Sequence, residues 1–200
     1  MSVLVTGGAG YIGSHVVKDL IENDFDVITI DNLKKGHKDA VLGGKLIVGD
    51  IKDPEFLQEV FSYNKIDSVV HLAADSLVGE SMENPGKYYH NNLDNGIKLL
   101  DVMLENGVKN IVFSSTAAVY GEPEEVPIKE NHPVQPGNPY GESKYFFEKV
   151  MERYDKLFDL NYVSLRYFNA AGADPNGQIG EDHDPETHLI PLVLDTALGK

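Results

Sequence analysis

Apolar residues along the chain follow two alternating patterns. Short runs rich in β-branched residues recur at "SVLVT" (2–6), "FDVITI" (25–30), "KLIVG" (45–49), "IDSVVHLA" (66–73), "NIVFSS" (110–115) and "NYVSLRYF" (161–168). Between them, "YIGSHVVKDLIEN" (11–23), "PEFLQEVFSYN" (54–64), "NPGKYYHNNLDNGIKLLDVMLEN" (84–106) and "NPYGESKYFFEKVMERYDKLF" (138–158) carry apolar positions three and four apart, the period of an amphipathic helix. Strand-like runs alternating with helix-like segments predict parallel strands joined by crossover helices, an α/β fold with both sheet faces covered. The last two helical segments open on Asn-Pro, as a capping residue followed by proline in the first turn would. The Pro-rich "GEPEEVPIKENHPVQPGNP" (121–139) reads as a long acidic loop, of the kind that often forms a functional flap. From about residue 171 glycine, proline and acids lead into one amphipathic segment, so we expect one unit over 1–170 and the start of a smaller substrate-binding lobe over 171–200.

Composition narrows the partners. With 200 residues, 42% of them hydrophobic, the chain can bury one sizeable core. A formal charge of −15 argues against nucleic acid or an anionic membrane surface, both of which require clustered basic side chains. There is no cysteine, which excludes disulfides and thiolate metal sites. The first residues lack a signal-peptide pattern and no apolar run has the length of a membrane span, so a cytoplasmic location is expected.

"VLVTGGAGYIGSH" sets Gly8, Gly10 and Gly13 in a Gly-x-Gly-x-x-Gly frame, and Gly7, Gly10 and Gly13 in the wider Gly-x-x-Gly-x-x-Gly frame. Such a turn after a strand and before a helix lets a pyrophosphate approach the amides of the helix N-terminus, Tyr11, Ile12 and Gly13 among them. The second strand ends at Asp31-Asn32, where an acid accepts hydrogen bonds from an adenine ribose and repels a 2′-phosphate. A Rossmann-like, doubly wound parallel sheet binding NAD rather than NADP is the reading that follows.

Two Tyr-x-x-x-Lys pairs follow one another in "NPYGESKYFFEK": Tyr140 with Lys144, and Tyr145 with Lys149. At about 100° per residue the two tyrosines point about 140° apart, so both cannot face one cofactor. Tyr140 stands in the first turn, where the helix dipole favours a phenolate. Tyr145, followed by two phenylalanines, reads better as helix surface or a packing face, although helix position alone leaves the choice open.

Taken together, "TGGAGYIGSH", "HLAADSLVGES", "FSSTAAVYG", "PYGESK" and "LRYFNAAGA" resemble the extended short-chain dehydrogenase/reductase family, most closely its UDP-glucose 4-epimerases, along the whole chain. The resemblance implies that Tyr140 and Lys144 are the catalytic Pro-Tyr-x-x-x-Lys pair and that Thr116 is the hydroxyl partner, with Ser114 and Ser115 lining the nicotinamide side. It implies Asp50 and Ile51 at the adenine, Leu72, Ala73 and Ala74 along the cofactor phosphates and ribose, and Asn91 near the nicotinamide. Phe168 would border the cofactor, and Asn169, His188 and Leu189 the nucleotide sugar. Ser76 stands where some relatives have lysine. The implied reaction is 4-epimerisation of a UDP-sugar: Tyr140 takes the 4′-hydroxyl proton while hydride passes from C4′ to NAD and later returns on the other face of the bound ketone. Homodimerisation through the helices beginning near Asn84 and Asn138 is implied as well. Ala117 and Ala118 replace the acid pair of the family's dehydratases, so water elimination is not expected. N-acetylhexosamine epimerisation, decarboxylation and a non-catalytic NAD-binding module are the competing readings.

His183 and His188 lie among Glu181, Asp182, Asp184 and Glu186, at a spacing that fits no helical ligand pair. We read this stretch as a solvated acidic loop with no metal site. His71, at the end of an apolar strand, reads as a core histidine.

Overall fold

The computed structural model describes residues 1–199. The six apolar runs form β1 (Ser2–Thr6), β2 (Asp26–Asp31), β3 (Lys45–Val48), β4 (Ser68–His71), β5 (Asn110–Ser114) and β6 (Asn161–Leu165). They make one parallel sheet in the order β3-β2-β1-β4-β5-β6. The order reverses beside β1, so the chain leaves β1 and β4 in opposite directions and opens a crevice beyond their C-terminal ends. The helices are α1 (Tyr11–Glu22), α2 (Pro54–Tyr63), α3 (Val78–Glu83), α4 (Pro85–Tyr88), α5 (Asn95–Glu105), α6 (Pro139–Phe158) and α7 (Leu189–Ala197).

Side chains alternate across a strand, so β1 feeds two cores. Leu4 joins Leu57 and Val60 of α2, Leu99 and Met103 of α5, and Phe147 and Met151 of α6. On the other face Val3 and Val5 pack with Val17 of α1 and with Val27. All of β1 is buried, which is why its sequence is a continuous apolar run rather than an alternation. Toward the far edge the cover thins, and Val163 and Leu165 of β6 are 53% and 44% exposed.

Local chemistry sets the helix starts. Asp53 caps α2 by accepting from the amides of Glu55 (3.0 Å) and Phe56 (3.2 Å), and Asn138 caps α6 by accepting from Gly141 N–H (2.9 Å), each with proline next. The helix expected to run unbroken from Asn84 does not. It is α4, then a π-helical stretch Tyr89–Asp94, then α5. Buried Asn92 explains the wide turn. Its amide accepts from Asp75 N–H (2.9 Å) and donates to the Asp75 carbonyl (2.9 Å) and to Ser143 Oγ (3.1 Å). A π-turn aims that side chain at the loop after β4 while α5 still presents its apolar stripe to the core. The short α3 was not expected, having too few turns to show a period.

His71 lies in the core, with its Nδ1 2.7 Å from Thr6 Oγ1 and its ring stacked on Phe113. Burial, helped by the nearby Lys144 charge, pushes its pKa down to about 3. The unfolded chain takes up this proton below about pH 6.5, whereas the folded chain refuses it until about pH 3. Stability from this group is therefore complete above the unfolded value and falls as pH drops through that window, by up to about 1.4 kcal/mol per pH unit. Urea denaturation at pH 7.5, 6 and 5 should show the fall, and His71→Asn should flatten it; an equal slope in the variant would assign it to other groups.

Candidate active site

The site is assembled where the C-terminal ends of parallel strands meet helix starts. Gly7, after β1, has φ +74° and donates to the Ile30 carbonyl (2.8 Å). A Cβ on Gly7 would sit 2.7 Å from Ala73 N, and one on Gly13 2.0 Å from the Gly7 carbonyl oxygen, so neither position admits a side chain. A Cβ on Gly10 would meet only the Gly7 oxygen, at 3.4 Å; its outer side is open. The first amide of α1 to bond backward is Ser14, to the Gly10 carbonyl (2.8 Å). Among the described residues nothing accepts from the amides of Tyr11, Ile12 and Gly13, which leaves a cradle of donors suited to an anion.

Buried Asp31, at the end of β2, braces this turn by accepting from Ala9 N–H (3.0 Å) and Leu33 N–H (2.8 Å). Asn32 donates to Asp50 (3.2 Å), which also accepts from Lys52 N–H (3.1 Å). Burial works against the Asp50 carboxylate, but these donors and the Lys34 and Lys52 ammoniums together hold its pKa below the usual range. Ile51 is buried beside it. Leu72, Ala73 and Ala74 follow β4 half-buried, held to β1 by Leu72 N–H to the Thr6 carbonyl (3.0 Å).

Thr116 lies just past β5 and Tyr140 in the first turn of α6. The Tyr140 phenol is mostly enclosed, and burial raises its pKa despite a hydrogen bond with Thr116 that works the other way. Thr116 Oγ1 also accepts from Ala118 N–H (3.1 Å). One turn on, Lys144 is buried, donates to the Ser114 carbonyl (2.8 Å) and lies 4.8 Å from the centre of the Phe113 ring. Burial pushes its pKa down to about 7. Desolvation thus dominates both groups and disfavours the ionised form of each. Tyr145 and Lys149 lie on the outer surface of α6, the ammonium 5.4 Å from the tyrosine ring and 2.9 Å from Glu152.

Ser114 carries a short hydrogen bond to Tyr167. Ser115 is buried and donates to Glu148. Glu148 also takes two bonds from Arg166, Nε at 3.0 Å and Nη2 at 2.5 Å. This pair, absent from the sequence reading, fastens α6 to the ends of β5 and β6; the signal was there, since Glu148 is one turn beyond Lys144 and Arg166 is one of two arginines. Asn91 Nδ2 donates to Asn92 Oδ1 (3.3 Å). Phe168, Asn169 and Leu189 are exposed. His188 faces Glu181 and Glu186.

The sequence profile of the NAD dependent epimerase/dehydratase family matches residues 3–200. The chain belongs to this family. It is 56% identical over 200 residues to the UDP-glucose 4-epimerase of Halalkalibacterium halodurans, a match covering all of this chain and 60% of that protein. The crystal structure of a UDP-glucose 4-epimerase superposes with a TM-score of 0.97 at 52% identity, covering 100% of this chain and 61% of the other. The Bifidobacterium longum UDP-glucose 4-epimerase, crystallised with NAD+ and UDP, superposes with a TM-score of 0.93 at 40% identity, covering 100% and 63%. The chain thus spans about 60% of the length of the curated relatives it matches. Among the described residues no helix is long and apolar enough to cross a membrane.

Proposed function

We propose that this epimerase-family chain carries the NAD-binding and proton-transfer machinery for 4-epimerisation of UDP-sugars, interconverting UDP-galactose and UDP-glucose. One observation carries the reading: the donor cradle at Gly7, Gly10 and Gly13 shares a sheet edge with the enclosed Tyr140–Thr116 pair and Lys144, so a dinucleotide and a sugar can meet there. The clashes at Gly7 and Gly13 and the open amides of Tyr11, Ile12 and Gly13 fit a pyrophosphate.

In this reading Asp31, Asn32, Asp50 and Ile51 hold the adenosine end, with Leu72, Ala73 and Ala74 along the middle and Asn91, Ser114, Tyr140, Lys144 and Phe168 toward the nicotinamide. Bound there, NAD would supply a hydride acceptor that returns the hydride within the same cycle. Tyr140 takes the sugar 4′-hydroxyl proton and gives it back, Thr116 orients the reacting oxygen, and Lys144 sets the local charge. Because burial holds Tyr140 as a phenol in the free protein, positive charge arriving with the ligands is what would activate it. Asn169, His188 and Leu189 border the nucleotide sugar.

Protein of the length of its relatives, incubated with UDP-galactose and no added NAD, should form UDP-glucose. No conversion even with NAD supplied would end this reading.

A further inference from the structure

Four side chains in the loop before α7 converge in a way that the fold does not require; one of them, His188, also borders the nucleotide sugar in the proposed function. Glu181, His183, Glu186 and His188 each bring one ligand-type atom to within 4.8 Å of the others. His188 Nδ1 lies 2.9 Å from Glu181 Oε1 and 2.8 Å from Glu186 Oε1, and His183 Nδ1 lies 3.3 Å from Glu181 Oε1 and 3.9 Å from Glu186 Oε2. The carboxylates are well covered, their side chains 12% and 16% exposed. Solvent still reaches Asp182, Asp184 and His188 of the same loop, so only the two glutamates depart from the solvated acidic face that its composition suggested.

We propose that these four residues form a binding site for one divalent transition-metal cation, with zinc the best match. Two imidazole nitrogens and two carboxylate oxygens are a ligand set suited to tetrahedral zinc. With metal–ligand bonds near 2.0–2.1 Å, neighbouring donors in a tetrahedron stand about 3.3 Å apart, and the spacings in the loop bracket that value. Glu186 Oε1 accepts from the amides of Thr187 and His188 (2.7 Å each), whereas, among the described residues, Glu181 pairs only with the two imidazoles. A single Nδ1–H on His188 cannot fully serve two carboxylate oxygens at once. His183 Nδ1 is shielded from solvent and makes no hydrogen bond. A cation at the centre satisfies all four groups and offsets both carboxylate charges.

Place suggests purpose. The His183 ring stands edge-on to Tyr11, 6.3 Å between centres, and the Tyr11 hydroxyl donates to the Gly172 carbonyl (2.6 Å). Lys18 of α1 is ion-paired with Asp174. A cation held by residues 181–188 would fix the loop and, with it, the His183 ring that packs on Tyr11 at the start of α1. The Glu-x-His-x-x-Glu-x-His spacing escapes a helical template because the ligands lie on a loop.

The test is metal binding by the chain itself, purified without a polyhistidine tag and stripped with EDTA. One equivalent of Co2+ should give the intense visible bands of a tetrahedral site, and one equivalent of Zn2+ should abolish them. His183→Ala or Glu181→Gln should weaken Zn2+ binding at least tenfold, and the His183→Ala/His188→Ala pair should abolish stoichiometric binding. Circular dichroism of the metal-free forms checks that the variants keep their fold. Wild-type protein that binds no Zn2+, or a double variant that binds it equally well, would overturn the proposal.

Discussion

Replacing Tyr140 with phenylalanine should reduce kcat for UDP-galactose to UDP-glucose conversion by about 10²–10⁴-fold, the usual contribution of a positioned general acid–base. Only the hydroxyl is lost; the ring that packs edge-on to Tyr88, 6.4 Å between centres, remains. Fold and NAD retention should therefore persist, which separates a chemical defect from a structural one. Steady-state kinetics on protein of the length of its relatives, with bound cofactor measured after denaturation, decides the matter. Undiminished turnover in Tyr140→Phe would remove Tyr140 from the mechanism.

The largest loss of stability should come from Arg166→Met. Glu148 is buried with its carboxylate held by Arg166 and Ser115, and removing the guanidinium leaves a buried charge with one neutral partner. Breaking such a pair costs about 3–5 kcal/mol. Replacing both members with apolar residues, as in Glu148→Leu/Arg166→Met, should recover most of that, since the desolvation of both charges goes too. Chemical denaturation of the single and double variants measures the coupling. A single variant within about 1 kcal/mol of wild type would show that solvent reaches the carboxylate well enough to replace the arginine.

The centre of the sheet was legible because its strands are buried on both sides, so β1 and β2 stand out as β-branched runs between turn residues. The glycine cradle was legible for a related reason: spacing of small residues records where backbone approaches backbone, as at Gly13 against Gly7. Through-space pairing left no local mark. Glu148 and Arg166 are 18 positions apart, and although Arg166 falls within "LRYFNAAGA", nothing there names its partner. The charge states at Lys144 and Tyr140 escaped too, because a four-residue spacing shows proximity but not the depth of burial that opposes both ionised forms. The convergence of Glu181, His183, Glu186 and His188 left no mark because it depends on the path of a loop.

The π-helical stretch from Tyr89 to Asp94 carries a consequence for how this protein can change over evolutionary time. A π-turn closes with one residue more than an α-turn, so deleting one residue there and restoring a regular helix would leave the phase of α5 nearly unchanged. Leu99, Leu100 and Met103, now fully buried, would stay in the core. The residue count can therefore change here without repacking the core, at the cost of the bonds that Asn92 makes to Asp75 and Ser143.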